Sequence, residues 1–177
     1  MSINKEYKEL TNDLLFDSNF ELLKNDVHHG SNKYDHCKRV SYLSFLIAKL
    51  TKANYKNVAR AGLLHDFFYG SRTSKKENDY LRHPITSADN AKKFFKINDC
   101  EEEIIKSHMF HHALIKRLSP FMKEEDKIYF IENKPKSKES VIVCVSDLLV
   151  SFYEVFAYKI RYNTLLYTIF ILNLTRY

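Results

Sequence analysis

Three glycines and three prolines in 177 residues leave few points at which the chain is told to turn. That scarcity argues against a loop-rich or many-stranded fold and favours long helices. Cys37, Cys100 and Cys144 are the three cysteines, and no CxxC pair exists. A zinc ribbon and a disulfide framework are thereby excluded, and a reducing, cytoplasmic setting is expected. No long Lys/Arg block and no basic stripe interleaved with aromatics is present, although the net charge is +6. The charge mildly favours anionic partners such as phosphates or nucleic acid, but with the basic residues scattered it reads first as a solvated, slightly basic surface, and no stable nucleic-acid partner is expected. The opening "MSINKEYKEL" is polar and does not read as a signal peptide. Near the other end, Tyr162 to Thr175 is uncharged and largely apolar, but its 14 residues fall short of the roughly 20 a membrane span needs. It is expected to form a buried helix within 159–177, packed on the rest of the chain or serving a homodimer contact, with no membrane role.

What is present is a globular composition: 45% hydrophobic residues and 14% aromatics, enough for one all-α domain over 1–177 with a sizeable core. No internal repeat is seen. Residues 4–25 suggest one or two short helices, and "HHGSNK" a turn. A helix over about 34–50 aligns His36, Val40, Leu43, Ile47 and Leu50 on one inward stripe. A second, over about 55–68, stacks Val58, Ala61, His65 and Phe68, with Asp66 on the adjacent stripe. Residues 70–82 read as a polar surface loop, and Pro84 biases His83 to an extended conformation outside a helix. Thr86 or Ser87 should cap the next helix, with Ala88, Ala91, Phe94 and Phe95 inside. A helix over about 101–112 aligns Ile104, His108 and His111. From Ser140 a long helix is apolar on nearly every side, which predicts a central, buried position. Its one polar seam is Ser140, Cys144, Asp147, Ser151 and Glu154. Strands are required nowhere.

The chemistry concentrates in histidines and two aspartates. The 8 histidines lie between positions 28 and 112. Asp147 sits in an apolar helix with no Lys or Arg between Val141 and Tyr158. A buried carboxylate is unfavourable by several kcal/mol unless paired, so its partner comes from another helix or is a cation. His36, His65 and Asp66 face inward on other segments. A lone inward His is ordinarily a hydrogen-bonded core residue and a lone inward Asp an ion-pair partner; four such groups converging favour a metal. Imidazoles with carboxylates suit manganese, iron, cobalt, nickel or magnesium better than a thiolate zinc site.

The segments "YDHCKRV", "AGLLHDFF" and "VSDLLVSFYE" occur in the order H…HD…D. The pattern resembles the HD-domain superfamily of metal-dependent phosphohydrolases over about residues 28–158. The resemblance implies a helical bundle with the metal at its centre, and His36, His65, Asp66 and Asp147 as ligands of a first ion. "RHPITSA" and "IIKSHMFHH" supply His83 and His108 as added ligands of a second, an arrangement similar to the branch that cleaves symmetrical dinucleoside polyphosphates at a di-iron centre. His111 and His112 resemble the adjacent pair of the HD-GYP branch, but no GYP motif follows. One or two divalent ions are implied, iron or manganese first, with cobalt, nickel and magnesium as alternatives. Asp66 or His108 would orient the nucleophile or move its proton, and Lys33, Arg72, Arg82 and His111 would contact substrate phosphate. The implied activity is hydrolysis of a phosphoester or phosphoanhydride of a nucleotide or related small phosphorylated molecule. A non-catalytic nucleotide- or nucleic-acid-binding domain with a structural metal, and a di-iron oxygenase, are the competing readings. Substrate choice is expected to rest on 70–82 and 113–139.

Overall fold

The computed structural model describes residues 2–28, 31–69, 77–111 and 133–174. Helix α1 (Ile3–Leu15) starts where the Ser2 side chain accepts from the Lys5 amide, and α2 (Ser18–Glu21) where Asp17 accepts from Asn19. A 3-10 turn, Leu22–Asn25, follows. Leu14, Phe20 and Leu23 enter the core, while Leu22 is left exposed.

The chain then makes a strand pair that sequence reasoning did not require. Strands β1 (Val27–His28) and β2 (Ser31–Asn32) pair antiparallel, Val27 with Asn32 and His28 with Ser31. With the Lys33 amide donating to Asp26 O at 2.9 Å, this short ladder delivers the chain to α3 (Lys33–Leu50), whose cap is Asn32.

Helix α4 (Tyr55–Leu64) packs closely on α3. A Cβ on Gly62 would lie 3.0 Å from the Ser41 Cα, so any other residue would push the two backbones apart by a few tenths of an ångström. Ser41 Oγ donates to Ala59 O at 2.6 Å and accepts from Tyr7 OH at 2.9 Å. The buried side of α3 is accordingly His36, Cys37, Val40, Ser41, Ser44, Phe45 and Ala48. This corrects the expected stripe: Leu43 and Ile47 are partly buried and Leu50 is 83% exposed. Close helix contact selects small side chains, which hydrophobic patterning alone does not register.

Two further boundaries differ from expectation. Helix α4 stops at Leu64, and His65 and Asp66 form the turn after it. Helix α5 runs Glu77–Phe94 and contains Pro84, so 77–82 is not loop, His83 is helical, and Thr86 and Ser87 are interior rather than caps. Proline removes one ladder hydrogen bond; burial of His83, Pro84, Ser87, Ala88 and Ala91 along one side offsets it. Phe94, expected inside, is exposed, though its ring packs edge-on against Phe67. Helix α6 (Asp99–Ser107) opens on a reciprocal Asn98–Glu101 capping box.

The last helix, α7 (Lys138–Leu174, 37 residues), is about 55 Å long at 1.5 Å per residue. The Ser137 hydroxyl accepts from the Ser140 amide at its start. Its polar seam turns inward: Ser140, Cys144, Asp147 and Glu154 are buried. Val141, Val145, Leu149, Phe152 and Phe156 face solvent, as do Leu165, Leu166 and Tyr167 farther on. The expectation of a helix buried all round, with 162–168 packed away, is therefore corrected. By length and composition alone, Lys138–Thr168 is long and apolar enough to cross a membrane. Asp147 and Glu154 instead place its middle against α3, where both pair with His36.

Candidate metal centre

Four segments meet at one buried point: α3 through His36, the turn after α4 through His65 and Asp66, the end of α6 through His108, and α7 through Asp147. All five are 3% exposed or less. His83, also buried, joins them from α5.

The helix ends aim two of the imidazoles. A terminal helix carbonyl lacks an intrahelical donor. His65 supplies one, its Nδ1–H donating to Gly62 O at 2.8 Å, and His108 does the same to Ile105 O at 2.7 Å. Both rings are thereby held with Nε2 pointing inward. The turn that exposes the dyad is tight, with the Phe67 amide donating to Leu64 O and the Phe68 amide to Asp66 O. The ion-paired residues sit as follows. His36 Nε2 lies 3.1 Å and His65 Nε2 3.7 Å from Asp147 Oδ1. Asp66 Oδ1 lies 3.1 Å from His83 Nε2 and 3.5 Å from His108 Nε2. The two nitrogens His83 Nε2 and His108 Nε2 are 3.0 Å apart. Behind His36, Nδ1 stands 2.9 Å from Glu154 Oε2, and Ser151 Oγ donates to Asp147 Oδ1 at 3.3 Å.

Donor atoms of His36, His65 and Asp147 all fall within 4.8 Å of one another, as do those of His65, Asp66 and His108. His65 belongs to both triads. Its Nε2 is fully buried and has no partner within hydrogen-bond distance, Asp147 Oδ1 standing 3.7 Å away. Imidazole nitrogens and carboxylate oxygens in two overlapping triads could hold a divalent metal ion.

The protons show the same demand. Burial would lower the pKa of His36, but hydrogen bonds to Asp147 and Glu154 outweigh it and raise it. Burial opposes a charged His65 too, yet the Asp66 carboxylate beside it holds its pKa well above the ordinary histidine value. Burial pushes Asp147 up, and the two imidazoles pull it well below the usual carboxylate range. His108 goes the other way, driven down to about 4 by burial.

The remaining candidates are distributed differently. Lys33 is 1% exposed, and its ammonium bonds Asp26 at 3.0 Å and Phe68 O at 2.8 Å, lying over the Phe68 ring. It braces the backbone just after the dyad. His111 is partly buried, with Nδ1 3.4 Å from Cys144 Sγ. Arg82 is exposed beside His83. Arg72 and His112, and most of the 113–139 segment, lie outside the described residues. Glu154 was visible in the sequence only as the last member of the polar seam; its contact with His36 spans 118 positions and required the fold.

The HD domain family model matches residues 34–150 of the chain, a span that contains all six candidate ligands. No curated protein and no solved structure matches the chain.

Proposed function

This chain belongs to the HD-domain family, and from that premise we propose that it is a metal-dependent phosphohydrolase acting on a nucleotide or a related small phosphorylated molecule. The observation that carries the reading is the pair of overlapping buried triads sharing His65. His36, His65, Asp66 and Asp147 would hold one ion, and Asp66, His83 and His108 a second. The imidazole-rich set suits iron or manganese ahead of magnesium. When bound, such an ion supplies a water acidic enough to give hydroxide near neutral pH and neutralises charge on phosphate oxygens.

The chain's own residues supply orientation. The Gly62 and Ile105 carbonyls lock His65 and His108 so that neither ring can turn its lone pair away. Asp66 Oδ1, close to both His83 and His108, is placed to accept a proton from a nucleophile or to orient it. His108, neutral at physiological pH, offers a lone pair rather than a charge. Arg82, exposed beside His83, and His111, near Cys144, are proposed to meet substrate phosphate. Three free thiols suit a soluble cytoplasmic enzyme.

The test is phosphate release from a panel of nucleotides and dinucleoside polyphosphates with manganese or iron. Turnover that disappears in His65→Ala and Asp66→Ala is expected. Nucleotide binding without turnover in every metal would instead support a binding domain.

A further inference from the structure

His65 and His108 are aimed by carbonyls of their own chain turn, three residues back. His36 lies in the first turns of α3 and is oriented differently: its Nδ1 faces the Glu154 carboxylate, two turns beyond Asp147 on the same side of α7. We propose that Glu154, supported by Arg39, is a positioning residue that holds His36 with Nε2 toward the ion; this rests on the metal reading above.

Three observations carry it. Glu154 is 5% exposed, in the half of α7 whose neighbours Phe152, Tyr153, Val155 and Phe156 all face solvent, so its burial is specific to this contact. Its two oxygens have separate duties: Oε2 meets His36 Nδ1 at 2.9 Å, and Oε1 accepts from Arg39 Nη1 at 2.7 Å. Arg39 lies near the surface, also donates to Ser31 Oγ, and so compensates a carboxylate that would otherwise be buried without a cation. The line Arg39, Glu154, His36 ends on Nε2, 3.1 Å from Asp147 Oδ1, where the ion belongs. A carboxylate accepting the far N–H of a ligating imidazole selects its tautomer and strengthens the nitrogen that binds. A single helix thus delivers one ligand, Asp147, and the group behind another.

Full-length wild type, Glu154→Ala and Glu154→Gln would be titrated with manganese and with zinc, and their melting followed without metal. Glu154→Ala should bind about 10- to 100-fold more weakly. Glu154→Gln should lose a few-fold, since its amide oxygen still accepts the N–H but carries no charge. In the zinc-loaded wild type, proton–nitrogen NMR should show a slowly exchanging His36 Nδ1–H that Glu154→Ala loses. A folded Glu154→Ala with wild-type affinity and an unchanged His36 signal overturns the inference alone. Should Glu154→Ala not fold, Glu154→Gln carries the test, and wild-type affinity there overturns it. A wild type that takes up neither metal overturns the parent reading together with this one.

Discussion

The two triads around His65 use the same residue types, but the imidazoles that join His65 in them, His36 and His108, are shifted in opposite directions. In His36–His65–Asp147, Asp147 and Glu154 push His36 toward the charged form and Asp66 chiefly does so for His65, while the Asp147 carboxylate stays ionised because one oxygen faces two rings. In His65–Asp66–His108, the fully buried His108 is driven to about 4 and stays neutral, with His83 and His65 opposing a charge on it. The difference teaches that whether a proton or a lone pair awaits the ion is set by the balance of burial against the carboxylates and imidazoles around each ring. Loading the first triad should release protons, while His108 in the second has none to lose.

The largest effect should come from the dyad. Asp66→Ala, which removes the carboxylate proposed at both ions, is expected to bring phosphate release to background and to deplete both, and His65→Ala to abolish release and empty the first, read by elemental analysis of the purified protein. His36→Ala and His108→Ala should separate the triads, each losing one ion from a two-ion protein; loss of both ions in either variant would show that the triads load as one unit.

Acidity sharpens the contrast next. His36 and His65 have raised values, so their contribution to metal-free stability is complete below about pH 6.5 and fades as pH climbs through the folded values. His108 has a lowered value, so its contribution is present above about pH 6.5 and fades as pH falls toward about 4. Asp147, also lowered, holds its contribution above about pH 3.9 and loses it below. Metal-free protein should therefore melt several degrees lower at pH 9 than at pH 6.5, and manganese should remove that decline. A flat profile without metal would mean the first triad carries no proton.

Smaller effects probe the scaffold. Gly62→Ala forces a Cβ onto the Ser41 backbone and should cost about 1–3 kcal/mol in urea unfolding, with weaker metal binding because Gly62 O aims His65. On the outer face of α7, Val145→Ser or Phe152→Ser should move the stability of the monomer by no more than about 0.5 kcal/mol. A larger loss would mean that this face is covered.

The sequence alone carried much of this. Scarce glycine and proline with helical periodicity were enough for an all-α fold, and five inward groups, His36, His65, Asp66, His108 and Asp147, were legible because each breaks an apolar stripe. His83 was legible as a histidine near the dyad but not as a helical one, since a following proline hides a helix that packing sustains. The α3 stripe ran off toward Leu50 because periodicity does not see how closely two helices approach. For α7, composition shows that apolar residues surround the axis and is silent on which side the bundle occupies.

By itself, then, the order of residues determined the helical class, the candidate ligand types and the family, because these depend on local spacing and chemistry. Only the tertiary structure decided that the polar seam of α7 turns inward, that His36, His65 and Asp147 come together from three separate segments, and that Glu154 stands behind His36. Those are contacts between positions up to 118 apart, and their geometry arises when separate helices pack, not within any one of them.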